Sequence, residues 1–320
     1  MFNDKNILIT GGTGSFGREF CEYVLENYSP NRLIVLSRDE LKQFEMNEQL
    51  NNPKLRFFIG DVRDKDRLER AMKGVDYVVH AAALKQVPAC EYNPIEAIKT
   101  NIYGAQNVID AAINQGVSKV IALSTDKAVN PINLYGATKL CAEKLFVQAN
   151  SYSGSNGTRF ACVRYGNVVG SRGSVIPIFK KQKELGTLTI TDDRMTRFWL
   201  TLDQGVQFVL SSLEELQGGE VFIPKIPSMK VLDLAKAISP DAEIKIIGIR
   251  PGEKLNEVLI SRDESNSVID IGSKYIIQPQ HSSFRMPIYS NSVPVEKDFE
   301  YRSDNNLDWL DVTQLKDMIN

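Results

Sequence analysis

Tyr135 and Lys139 stand four residues apart in the segment Asn133-Leu134-Tyr135-Gly136-Ala137-Thr138-Lys139, and on a helix that spacing puts both side chains on one face. An ammonium beside a phenol lowers the phenol's pKa and makes it a proton acceptor, the acid/base half of a dehydrogenase reaction. Just upstream, Ser124-Thr125-Asp126-Lys127 adds a second acid/base pair. It follows the apolar run Lys119-Val120-Ile121-Ala122-Leu123, which reads as a buried parallel strand. Asp126 and Lys127 are therefore expected at the carboxyl edge of a sheet, where open α/β folds bind their ligands.

Other elements must bring a redox partner to that edge. The apolar strand Asn6–Thr10 runs into Gly11-Gly12-Thr13-Gly14-Ser15-Phe16-Gly17, and Glu19 to Leu25 has helical character. Strand, glycine turn and helix together predict a dinucleotide site: the glycines permit positive φ, close approach of backbone to a pyrophosphate and tight helix packing, with the phosphates at the helix N-terminus. Gly11, Thr13, Gly14, Ser15, Phe16 and Gly17 are its expected contacts. A second strand, Arg32 to Leu36, leads into Ser37-Arg38-Asp39-Glu40-Leu41-Lys42. Where an NAD enzyme holds a carboxylate against the ribose, this chain has Ser37, followed by Arg38, and Lys42 is close by. A hydroxyl, a guanidinium and an ammonium suit a 2′-phosphate, so the segment 37–42 predicts NADP. The competing reading has Arg38 and Lys42 as solvated charges, with Asp39 facing the ribose. Asp61 and Val62 close a third strand and are expected near the adenine, and Ala81, Ala82 and Ala83 let backbone approach the cofactor.

Strand candidates at Leu55 to Ile59, Tyr77 to His80, Val117 to Leu123 and Arg159 to Arg164 alternate with helical periods, which predicts an α/β fold with a doubly wound parallel sheet. The alternation loosens after Asn167, where a glycine-rich loop begins and prolines accumulate. The helical run Asp203 to Leu216 and the strand Glu220 to Ile223 return to the main sheet. The expected division is a cofactor-binding domain of 1–167 plus about 199–230, and a smaller, loop-rich substrate domain of 168–198 plus 231–320.

Composition narrows the function classes. The 320 residues are 42% hydrophobic and carry a net charge of −2, which leaves no electrostatic footprint for nucleic acid. The first strand begins almost at once and no apolar run reaches membrane-spanning length, so no membrane association and a cytoplasmic location are expected. The four cysteines lack metal or redox spacing and there are only two histidines, so no metal site is expected. His80, at a strand end, reads as a satisfied core or cofactor-adjacent residue.

With these motifs in place, the chain resembles the extended short-chain dehydrogenase/reductase superfamily. Asp61-Val62-Arg63-Asp64, Ser124 to Lys127, Asn133 to Lys139, Arg164 to Ser174 and Met195-Thr196-Arg197-Phe198-Trp199 narrow the resemblance. They look like the inverting UDP-N-acetylglucosamine 4,6-dehydratases that begin pseudaminic acid synthesis, and the likeness spans nearly the whole chain. One departure is Lys85-Gln86, where Lys-His is expected.

The resemblance implies a UDP-N-acetylglucosamine site lined by Lys85, Thr125, Asn167, Arg172, Gly173, Ser174, Val175, Ile176, Pro177, Arg197, Arg250, Glu253 and Tyr301, with Val168 against the cofactor. It also implies at least a dimer. Thr125, Tyr135 and Lys139 would serve oxidation at sugar C4; Lys127 would remove the C5 proton and Asp126 would protonate the departing C6 hydroxyl. The hydride would return at C6, giving UDP-2-acetamido-2,6-dideoxy-β-L-arabino-hexos-4-ulose. Lys127 can act so only when neutral, and desolvation by the sugar and the nicotinamide is expected to depress its pKa. A nucleotide-sugar 4-epimerase is the competing enzyme, with no task for Lys127; a silent NADP-binding regulator would have lost Tyr135 or Lys139.

Overall fold

In the computed structural model, which describes residues 1–154, 157–170, 175–280 and 287–319, the six apolar runs become strands β1 (Asn6–Thr10), β2 (Arg32–Ser37), β3 (Leu55–Ile59), β4 (Tyr77–His80), β5 (Lys119–Leu123) and β6 (Arg159–Val163). Their central members are rich in Val, Ile and Leu and buried along most of their length, as strands covered on both faces must be. They pair in parallel in the order β3-β2-β1-β4-β5-β6, and Val221–Pro224 adds a seventh parallel strand beside β6. The order reverses between β1 and β4, which opens a crevice at their carboxyl ends.

The expected division of the chain differs from the pairing in one respect. Lys274–Ile277 pairs antiparallel with Val221–Pro224, Val268–Asp270 with Lys274–Ile277, and Val293–Pro294 with Val268–Asp270. These segments, assigned above to the smaller domain, instead complete a ten-stranded sheet. The reason is apolar: Val268, Ile276 and Ile277 join the core of the large sheet. A second core, with Phe179, Leu188, Trp199, Leu234 and Leu315 among its members, is built from helices Val175–Lys183, Val231–Ile238 and Val312–Ile319 and the paired strands Thr187–Ile190 and Glu243–Ile246. Among the described residues no helix is long and apolar enough to cross a membrane.

Candidate active site

At the switch point a cleft of about 1040 Å³ runs from the glycine turn to the end of β5. Gly11 has a φ of +67°, and a Cβ there would lie 2.9 Å from Ala82 Cα, so the backbone of the turn and the alanine segment meet only because no side chain intervenes. Gly14 caps helix Ser15–Asn27 without a side-chain hydrogen bond, which leaves the positive end of the helix facing the cleft. Thr13, Ser15, Phe16, Asp61, Val62, Ala81, Ala83 and Val168 line the same space. This cradle fits a dinucleotide. Gly17 lies behind it, where a Cβ would strike Gly12 Cα at 2.4 Å.

Segment 37–42 sits at the far end. Ser37, Arg38, Asp39 and Lys42 line the cleft, whereas Glu40 and Leu41 do not; both are exposed in the first turn of helix Glu40–Leu50, directed away from it by the helical period. Ser37 Oγ accepts a hydrogen bond from Gln43 Nε2 at 3.1 Å. Asp39 caps the helix through Lys42 N and pairs with the Lys42 ammonium. Arg38 is more than half exposed and lies 3.6 Å from Asp61.

The catalytic end is assembled by short-range geometry. Thr125 accepts from Lys127 N and donates to Asp126 Oδ1 at 2.8 Å, fixing the turn Asp126–Ala128 at the end of β5. Helix Leu134–Ala149 begins at Asn133, whose side chain accepts from Gly136 N at 2.8 Å. A Cβ on Gly136 would lie 2.1 Å from the Lys127 carbonyl oxygen, so only glycine lets the helix carrying Tyr135 and Lys139 close on the turn carrying Lys127. All five predicted catalytic residues, Thr125, Asp126, Lys127, Tyr135 and Lys139, line one cleft.

The electrostatics bear on two expectations. Burial raises the Tyr135 phenol to about 12, opposed by the charge of Lys127. Burial in turn lowers Lys139. Lys127 is the second case. Its Nζ lies 3.1 Å from Asp126 Oδ1 and 3.3 Å from Glu257 Oε1; burial favours the neutral amine, but the two carboxylates outweigh it and hold the ammonium firmly protonated. Asp126 is raised by burial and by the charge of Glu257. His80 is a core residue 2.8 Å from Thr10 Oγ1, with its pKa pushed down to about 3 by burial.

Of the expected sugar contacts, Lys85, Thr125, Asn167 and Glu253 line the cleft. Asn167 Oδ1, Thr100 Oγ1 and Asp126 Oδ2, all from cleft residues, are buried without a hydrogen-bond partner among the described residues, which is costly unless a ligand supplies one. Arg172, Gly173 and Ser174 lie outside the described residues. Val175, Ile176, Pro177, Arg197, Arg250 and Tyr301 do not line the cleft. Val175 and Pro177 stand on the first turn of helix Val175–Lys183, and Ile176 packs into the second core. Tyr301 places its ring 4.7 Å from that of Phe198 and its hydroxyl on both the N–H and the carbonyl of Ile226, so its polar atom is consumed inside the fold. Arg197 is buried, donates to the carbonyls of Thr196, Lys254 and Leu255, and pairs with Glu253 and Glu257. Arg250 is exposed on a loop.

Sequence reasoning missed Glu257. Its signal is a carboxylate at the mouth of the short apolar strand Val258–Ile260, at a position that is buried only because the chain folds back on Lys127. Asn101 was also missed; its amide bonds both the N–H and the carbonyl of Leu84 and the Thr138 hydroxyl, tying the alanine segment to the catalytic helix.

Behind the catalytic helix, Arg164 is sealed between Glu143 and Glu264, with Nη2 at 2.5 and 2.9 Å from their oxygens, and donates to the Leu259 carbonyl at 2.9 Å. Arg164→Met would leave Glu143 buried without its cation, and loss of one partner of such a network costs about 3–5 kcal/mol. Urea unfolding is expected to show that loss; a parent-like midpoint for R164M would mean that the network does not hold the helix.

A parallel sheet with reversed strand order, a glycine turn, and a Tyr-Lys helix over the switch point together define the short-chain dehydrogenase/reductase architecture. The chain belongs to the polysaccharide biosynthesis protein family, which it matches over residues 7–279. It is 58% identical to a UDP-N-acetylglucosamine 4,6-dehydratase (inverting) from Campylobacter jejuni, over 100% of this chain and 98% of that protein. It is 50% identical to a UDP-glucose 4-epimerase from Rickettsia felis, over 87% of this chain and 84% of that one. Among solved structures, Pen from Bacillus thuringiensis superposes with a TM-score of 0.92 at 42% identity, covering 100% of this chain and 98% of that one.

Proposed function

We propose that this chain is an NADP-dependent 4,6-dehydratase of UDP-N-acetylglucosamine that inverts C5 and forms the L-arabino 4-keto-6-deoxy sugar nucleotide. The observation that carries the reading is the placement of Tyr135, Asp126 and Lys127 in one cleft, with Lys127 Nζ 3.1 Å from Asp126. A 4-epimerase needs the tyrosine alone; an elimination also needs an acid and a base beside the oxidised sugar.

A nicotinamide dinucleotide held by the glycine turn would supply the hydride acceptor and donor. Tyr135, as the phenolate, takes the proton of the C4 hydroxyl, with Thr125 lining the cleft beside it. Once C4 is a ketone the C5 proton is acidic. Lys127, as a neutral amine, removes it; the C5–H electron pair forms the C5–C6 double bond, and the C6–O bond breaks as Asp126 donates its proton to the leaving water. Burial and the charge of Glu257 raise Asp126, the direction a proton donor needs. Asn167 Oδ1, unpartnered and buried, and Lys85 are the proposed polar contacts of the sugar nucleotide.

Incubation with UDP-N-acetylglucosamine is expected to give a product lighter by one water, with solvent deuterium at C5 when run in deuterated water. Unchanged mass with a C4 epimer would establish the reaction named for the Rickettsia felis relative instead. A D-xylo product at first turnover would overturn inversion.

NADP is proposed because Arg38 stands more than half exposed at the cleft end, 3.6 Å from Asp61, whereas Asp39 is occupied with Lys42 and the helix start. Nucleotide released on denaturation is expected to be NADP(H). Arg38→Ala should weaken NADP binding relative to NAD by roughly ten- to a hundredfold, the worth of a charge-assisted hydrogen bond of about 1.5–3 kcal/mol. NAD alone, or unaltered selectivity in R38A, would reverse this assignment.

A further inference from the structure

The proposed reaction leaves a proton without a destination. Lys127 must lose one before it can act at C5, and Asp126 cannot take it while holding its own proton for the C6 hydroxyl. Glu257 supplies the missing acceptor. Its Oε1 lies 3.3 Å from Lys127 Nζ, and its Oε2 is buried with no hydrogen-bond partner among the described residues. Its position is not adaptable: its N–H donates to Ser303 Oγ at 2.9 Å and its carbonyl accepts from Ser303 N at 2.9 Å. Arg197 Nε lies 3.6 Å from Oε1 on the other side.

We propose that Glu257 is a positioning residue that anchors the Lys127 ammonium opposite Asp126 and receives its surplus proton when the sugar is bound, exposing the amine that deprotonates C5. This rests on the dehydratase reading. The transfer is balanced: an N–H bond of Lys127 breaks, an O–H bond of Glu257 forms, and the electron pair left on nitrogen becomes the base. After elimination Lys127 holds the C5 proton and Asp126 has given its own away, so passage of the surplus proton from Glu257 to Asp126 restores the cluster.

The charged groups facing this pair are Asp126, Arg197, Lys254 and Lys85, with the Tyr135 phenol beside Lys127. Burial favours a protonated Glu257, but Lys127, Arg197 and Lys254 keep its pKa lowered. Passage of the proton across the 3.3 Å contact itself removes the largest of these opposing charges, so the protonated carboxyl is no longer held low by Lys127.

Glu257→Gln keeps the shape and an oxygen for the ammonium but cannot take a proton. The parent is expected to eliminate water at a rate nearly flat across neutral pH, because the proton moves within the cluster. In E257Q the proton must leave to solvent, so kcat should fall by about tenfold or more at neutral pH, a loss at or below the low end of general acid–base effects. Its logarithm should climb by about one per pH unit as hydroxide rises, with KM little changed. Glu257→Asp, still an acid, should keep a flat profile at reduced kcat, and it decides the matter if E257Q does not fold. A flat profile in folded E257Q, at any rate, or a sloping one in E257D, would overturn the role of Glu257 while leaving the dehydratase intact. A parent that never releases water removes the reaction, and this inference with it.

Discussion

Tyr135→Phe is expected to lower formation of the dehydrated sugar by about a hundred- to ten-thousand-fold, the usual worth of a positioned general base. The substitution removes one oxygen and keeps the ring, so the packing of helix Leu134–Ala149 should survive and unfolding should be unchanged. The loss arises before any bond at C5 or C6 is touched, because without the phenol the C4 hydroxyl has no proton acceptor. The structure sharpens the test. With burial raising the phenol to about 12 and the charge of Lys127 opposing it, Lys139→Met should raise the apparent pKa of the activity that remains. Initial rates by chromatography of the sugar nucleotide read both variants; near-parent turnover in Y135F would assign the first proton to another group.

Lys127→Met should be as damaging, and for a separable reason. The thioether fills the space of the lysine stem but offers no base, so elimination should fall by about a hundred- to ten-thousand-fold, and solvent deuterium should no longer enter C5. The variant also strips the shared cation from Asp126 and Glu257, which are both buried. Glu257 keeps Arg197 and Lys254 beside it, so the loss falls on Asp126, which is already raised by burial and by Glu257 and takes a proton at higher pH than in the parent. A folded pKa raised above the unfolded one means stability that is present at low pH and lost as pH rises through the folded value. K127M should therefore lose more stability between acid and neutral pH than the parent does. Parent-like elimination by K127M would sink the assignment of the base, whatever its stability.

Much of this site was legible in the sequence because its parts are local. The glycine turn, the end of β5 and the Tyr-Lys helix each lie within a few residues of an apolar strand or a helix start, so periodicity places them on the correct edge. Tyr301 and Arg197 were misplaced for the opposite reason. Their polar groups look ligand-directed in a loop-rich region, yet they are satisfied by backbone from distant segments, Ile226 for the phenol and Thr196, Lys254 and Leu255 for the guanidinium. Glu257 is the clearest gap. Only its place before a short apolar strand marks it, since its meaning comes from Lys127, remote in the chain and 3.3 Å away in the fold. The strands at Val268–Asp270 and Lys274–Ile277 escaped for a related reason: they are three and four residues long, too short for alternation to show, and each has a charged residue at one end.

The late completion of the large sheet has a consequence for biosynthesis. Val221–Pro224 is emitted from the ribosome well before Lys274–Ile277, the strand that pairs with its free side. A nascent chain at that stage presents an apolar, fully buried-type strand, Val221-Phe222-Ile223-Pro224, with one row of amides and carbonyls unpaired, a template for wrong partners. The proline at its end limits that template, since it has no N–H to offer. Truncations ending between Pro224 and Lys274 should accordingly aggregate or recruit chaperones, and because Glu257 arrives in the same interval, the lysine at the heart of the cleft waits for its second carboxylate until most of the protein has been made.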